Sequence, residues 1–166
     1  MRELREIPAA PRTPAERLHG EVGALAARLA EVLARTGDGQ APLAQATAFL
    51  GAWEAAAPLP SPAHTLHPLD RLCAAYGLSR FDVDLLLLAG MAEEHEGLSG
   101  VLRSVHPRGE PRATAGLAAQ VLCESPSERL LLRAALERGP LVRSGALRLV
   151  GEAPFFERNL AMADAL

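Results

Sequence analysis

The sequence predicts a mainly α-helical fold with one small β-hairpin near its C-terminal end, and three observations carry that expectation. Apolar residues recur at spacings of three and four along much of the chain. Helix-start signatures, a small hydroxyl residue with an acid three positions on, stand at Thr13, Ser79 and Ser125. Beyond Gly139 the apolar period shortens toward the alternation of a strand. With 166 residues, 49 % apolar and 22 % charged, the chain has material for one or two compact units, and wholesale disorder is excluded.

The first helix opens at Thr13-Pro14-Ala15-Glu16, where the hydroxyl takes an orphan N–H, the glutamate returns to the cap and proline sits at the first helical position. Leu18, Val22, Leu25, Leu29 and Val32 then mark a narrow apolar seam that stops at Thr36-Gly37-Asp38-Gly39. Such a seam needs a partner. One candidate is the next segment, 42–57, with Leu43, Ala46, Leu50 and Trp53 on one face of an antiparallel helical hairpin; the other is a second copy of the same helix. Three prolines, Pro58, Pro60 and Pro62, exclude helix interior and favour an extended spacer. The expected organisation is therefore an N-terminal helical hairpin (1–57), a proline-rich linker (58–63) and a second domain (64–166).

In the second domain, His67-Pro68 opens a short helix carrying Leu69, Leu72, Cys73 and Tyr76, which Gly77 can end in a left-handed cap. Ser79-Arg80-Phe81-Asp82 restarts the chain as a helix from 80 to about 92. Its apolar residues, Phe81, Val83, Leu85 to Leu88 and Met91, lie on nearly all sides, so it belongs at the centre of the fold. Asp82 and Asp84 lie in its first turns, where negative charge suits the helix dipole, and a structural role is expected of them. A short helix over 97–106, a loop over 107–111 and an Ala/Leu helix over 114–123 follow. Ser125-Pro126-Ser127-Glu128 opens a helix through Leu130, Leu131, Leu132, Ala135 and Leu136, stopped by Gly139. Then come Leu141-Val142-Arg143 and Ala146 to Val150 around Ser144-Gly145, read as a β-hairpin. Helices followed by such a hairpin are the order of a winged helix, with Pro154-Phe155-Phe156 as an apolar tail that docks on the domain.

All 17 basic residues are arginine. Without lysine there is neither a Walker A phosphate loop nor a Schiff-base nucleophile in this chain. Cys73 and Cys123, inside apolar segments 50 residues apart, read as buried reduced thiols and point to the cytoplasm. No signal-peptide pattern follows the charged N-terminus, and Leu85 to Leu88 is far short of the ~20 apolar residues that cross a bilayer, so no membrane partner is expected. His64, His67, Cys73 and the Glu93-Glu94-His95-Glu96 cluster lack the spacing of a metal site; His67 reads as a helix cap and the acidic cluster as a solvated helix end. No nucleophile elbow, zinc-protease motif or nucleotide fingerprint occurs. No catalytic, cofactor-binding or metal-ligating residue is expected.

The arginines are the informative polar residues. Between 126 and 150 there are five, Arg129, Arg133, Arg138, Arg143 and Arg148, against Glu128 and Glu137. Arg129, Arg133, Arg143 and Arg148 are the candidate interaction residues. In a DNA-binding winged helix the last helix enters the major groove and the wing touches phosphates. Base-reading Asn and Gln are absent from this helix, however, and with 20 acidic residues the formal charge is -3. A protein partner is therefore preferred over DNA. Self-association through the seam from Leu18 to Val32 is the third possibility.

Several runs resemble a known family. They are Leu69-Asp70-Arg71-Leu72, the stretch from Gly77 to Gly90, Thr114-Ala115-Gly116-Leu117-Ala118, Gly139-Pro140-Leu141-Val142-Arg143 and Pro154-Phe155-Phe156-Glu157-Arg158. Together they are similar to the winged-helix region ahead of the ATPase module in a group of bacterial AAA-type ATPases, some encoded beside extracellular contractile injection systems. The resemblance spans about 64–166. It implies an adaptor or substrate-docking domain that contacts proteins or an adjacent ATPase domain, with ATP and Mg²⁺ bound only in a C-terminal module. This chain stops at Leu166, before any Walker motif or arginine finger. The expectation is either an N-terminal part of such a protein or a protein that acts without the motor.

Overall fold

A computed structural model describes residues 13–36, 41–56 and 67–163. Among these residues eight helices precede a two-stranded sheet: α1 (Pro14–Thr36), α2 (Ala41–Ala56), α3 (Pro68–Tyr76), α4 (Arg80–Glu94), α5 (Glu96–Val105), α6 (Ala115–Leu122), α7 (Pro126–Arg138), the single turn α8 (Pro140–Arg143), then β1 (Leu147–Val150) and β2 (Asn159–Met162). The chain is mainly helical with a small C-terminal antiparallel sheet, as expected. Among the described residues no helix is long and apolar enough to cross a membrane.

Local capping sets most helix starts. Thr13 Oγ1 accepts from the Glu16 N–H at 3.2 Å while the Thr13 N–H donates to Glu16 at 2.8 Å. Reciprocal boxes of the same kind open α3 at His67 with Asp70, α4 at Ser79 with Asp82, and α7 at Ser125 with Glu128. Gly77 ends α3 at φ 63°, a conformation that glycine adopts without a Cβ penalty.

The α1 seam is buried within this chain. Val22, Leu25, Leu29 and Val32 are covered, and α1 packs along α2, then against α4 and α6. The expected linker, 58–63, lies outside the described residues; the helices on either side of it share one apolar core centred on Leu85, Leu88 and Met91 of α4. At the junction of α2 with α5, Trp53 lies between His19 and His95, with ring centroids 4.5 and 4.9 Å away. Phe49 closes the cluster against Gly97, where its ring occupies the space a Cβ would need.

Two sequence expectations are corrected. Leu141-Val142-Arg143 forms the helical turn α8, not a strand: Pro140 at the first helical position favours the turn and denies the strand an N–H, and Leu141 points into the core. The turn residue Gly145, at φ 77°, therefore precedes β1 instead of joining two strands. The real partner strand is β2, with Leu147 opposite Met162, Arg148 opposite Ala161, Leu149 opposite Leu160 and Val150 opposite Asn159. Pro154-Phe155-Phe156 belongs to the connection between the strands, with a 3-10 turn over Phe155–Glu157. In α7, Leu132 is the buried member of the three-leucine run, while Leu130 and Leu131 face water, 71 % and 65 % exposed.

Polar bonds latch the wing to the helices. The Ala115 N–H donates to the Arg158 carbonyl at 2.9 Å and the Leu160 N–H to the Ala113 carbonyl at 2.8 Å. Buried His106 accepts the Arg108 N–H on Nδ1 at 3.0 Å, so its Nε2 carries the proton and donates to Asn159 Oδ1 at 2.7 Å. Asn159 in turn donates to Glu110. The α6 start fits closely under the connection: a Cβ on Gly116 would meet the Phe156 carbonyl oxygen at 2.8 Å.

Candidate interaction surface

The register of β1 with β2 brings a cleft together between α7, α8 and the wing. It encloses about 560 Å³ and has an apolar floor of Leu136, Val142, Leu149 and Phe155. Arg133, Arg148 and Arg158 stand around it, with Glu137 as the carboxylate among its lining residues.

Each guanidinium is held differently. Arg133 bonds Glu137 one turn along α7 at 2.9 Å and lies 4.9 Å over the centre of the Phe155 ring, a cation–π contact. Phe155 is itself braced edge-on by Phe156, 5.2 Å away. Arg158 donates from Nε to the Ala153 carbonyl at 2.9 Å, which orients the rest of its guanidinium. Arg148 projects from β1, exposed, and among the described residues no carboxylate pairs with it. Three cations around one carboxylate give the cleft a net positive charge beside an apolar and aromatic lining.

Of the four candidate residues, Arg133 and Arg148 meet in this cleft. Arg129 and Arg143 are exposed but do not line it. Arg143 ends α8 and not a strand, because the preceding residues form a helical turn. Arg158 is the residue sequence reasoning missed: it lies 25 positions from Arg133 and joins it only through strand pairing.

The remaining polar candidates are taken up by the fold. His67 accepts the Leu69 N–H on Nδ1 and bonds the Pro14 carbonyl through Nε2 at 2.9 Å, so both ring nitrogens are engaged. His95 accepts the Gly97 N–H at 2.9 Å and caps α5. His64 lies outside the described residues. Among the described residues no group of three or more His, Cys, Asp or Glu is placed to hold a metal ion. Cys73 is half-buried, and Cys123 is buried, with burial pushing its thiol up. Backbone N–H groups of Glu124 and Ser125 hold the Glu128 carboxyl below its ordinary value, leaving it a cap.

A family model described as "Winged helix domain, variant" matches residues 4–164. Comparison with curated proteins and with solved structures gave no match.

Proposed function

The chain belongs to this family of variant winged helix domains, and on that footing we propose that it is a non-catalytic docking domain whose cleft between α7 and the wing receives a protein partner. Its proposed setting is the cytoplasm, as the N-terminal adaptor of an AAA-type ATPase of the kind encoded beside contractile injection systems. The partner is then a substrate protein or the adjacent ATPase domain, and ATP and Mg²⁺ belong to that later module. The resemblance of 64–166 to the region ahead of such ATPases supports the setting.

The observation that carries the binding mode is the grouping of Arg133, Arg148 and Arg158 around the Phe155 ring. A short acidic segment with an apolar side chain satisfies both halves of that surface. Phosphate contacts alone would not need an apolar floor. DNA is disfavoured by the helix ahead of the wing, the element that reads base edges in DNA-binding winged helices. Its outward face presents Leu130 and Leu131, without the Asn and Gln that bond adenine edges.

The test is fluorescence anisotropy with two labelled probes, a Glu/Leu-rich peptide and a DNA duplex. Peptide binding is expected, weakened at least tenfold, about 1.4 kcal/mol, by Arg148→Glu, with the far-ultraviolet circular dichroism unchanged. Tighter, steeply salt-dependent binding to the duplex, lost with the same substitution, would replace this reading with a DNA-binding regulator. The ATPase setting is tested by the intact mass of the native product, since it requires a longer chain that carries a lysine-containing phosphate loop.

A further inference from the structure

We propose that the partner segment binds as an added β-strand on the outer edge of β1, with its acidic side chains beside Arg148 and its apolar ones beside Leu149. This deepens the docking reading above and rests on it.

The hydrogen bonds of the wing fix which groups of β1 face outward. On β2, the Leu160 N–H donates to the Ala113 carbonyl and the Arg158 carbonyl accepts from the Ala115 N–H, so both residues turn their backbone away from β1. The Ala163 N–H, donating to the Ala146 carbonyl, sets the phase of the ladder at its other end. Antiparallel strands alternate bonded and non-bonded pairs. Arg148 and Val150 are therefore the residues bonded to Ala161 and Asn159, while Leu147 and Leu149 direct their N–H and C=O away from β2. Leu147 is buried. Leu149 is half-buried, and among the described residues nothing pairs with its N–H or its carbonyl.

The docking cleft runs along this edge. Arg148 and Leu149 are successive strand residues, so their side chains leave opposite faces of the sheet, yet both line the cleft. Because β2 closes the inner edge, the space that both can reach is at the outer one. A segment laid there in extended form continues the same alternation. Its side chains on the Leu149 face meet the floor of Leu136, Val142 and Phe155, and those on the other face meet Arg148. The segment recognised is one in which acidic and apolar residues alternate, main-chain bonds giving position and alternate side chains giving specificity.

An open edge also invites a second copy of β1. That pairing brings another Arg148 to a cleft in which three cations already outnumber one carboxylate, so an acidic segment is the favoured occupant.

Fluorescence anisotropy on the full chain tests the proposal with a peptide of alternating Glu and Leu and a second of the same composition with its leucines in one block. The alternating peptide is expected to bind about tenfold more tightly. In an antiparallel addition the peptide residue opposite Leu149 exchanges both bonds with it. Methylating the leucine nitrogens of the peptide is therefore expected to weaken binding about tenfold, and methylating the glutamate nitrogens to change it little; a parallel strand reverses the two. Amide exchange at Leu149, followed by nuclear magnetic resonance, is expected to slow when the peptide is bound. Equal loss from the two methylations, or loss from neither, overturns strand addition, as does preference for the block peptide or unchanged exchange at Leu149. If Arg148→Glu still weakens peptide binding in that event, the docking reading stands without this one. If neither peptide binds, both fall.

Discussion

Arg28 of α1 donates to Asp84 of α4 at 2.7 Å across 56 residues of sequence. The other carboxylate oxygen of this buried aspartate lies 2.9 Å from Arg80, which reaches back to Glu21 of α1 at 2.6 Å. Two cations and two carboxylates thus join α1 to α4 along the edge of their apolar contact. Burial alone would pull the Arg80 guanidinium down, but its hydrogen bond to Glu21 and the charge of Asp84 outweigh that and raise it.

The Arg28 and Asp84 charges are expected to be coupled. Arg28→Met and Asp84→Asn, singly and together, should give a coupling of about 1–2 kcal/mol in urea unfolding, moderated by the partial exposure of Arg28. Strict additivity of the two single losses would mean that solvent screens the pair.

Asn159 is the polar latch between β2 and the helices. Asn159→Leu keeps the branched heavy-atom skeleton and leaves the buried His106 N–H without an acceptor, which should cost about 1–3 kcal/mol. Denaturant unfolding measures it; a change under about 0.5 kcal/mol would show that water takes the place of the amide.

The Arg17–Asp70 pair gives a pH signature. Its two contacts, 2.7 and 2.8 Å, together with the His67 N–H, hold the Asp70 carboxyl at about 2, below its ordinary 3.8. A lowered pKa means the folded state favours the ionised form, so the stabilisation is complete above pH 4 and disappears as pH falls toward 2. Asp70→Asn should lower the melting temperature at neutral pH, and wild type and variant should converge near pH 2. A gap that stays constant over that range would remove the ion pair as its cause.

What was legible in the sequence is what the backbone encodes within one turn. The caps at Thr13, His67, Ser79 and Ser125 each close through bonds two or three residues apart, so the residue types alone announce them. The left-handed end at Gly77 is equally local. What depends on distant pairing was not legible. Asn159 to Met162 is four residues long with no β-branched side chain, and it becomes a strand only because β1 and the Ala113 carbonyl supply its partners. Misplacing that strand also hid Arg158 and with it a third of the cleft's positive charge. Consecutive leucines carry no phase, which is why the run from Leu130 to Leu132 did not show that Leu132 is its buried member.

The placement of β2 sets an order of events for the growing polypeptide. Every described helix precedes Asn159 in the chain, so His106 and Thr114, the cap of α6, wait 53 and 45 residues for the strand that covers them. Until residues 159–162 clear the exit tunnel, the helical part exists without its seal, and Leu147 has no strand to lie against. A chain interrupted in the wing connection therefore keeps its helical segments but leaves β1 with an unpaired inner edge.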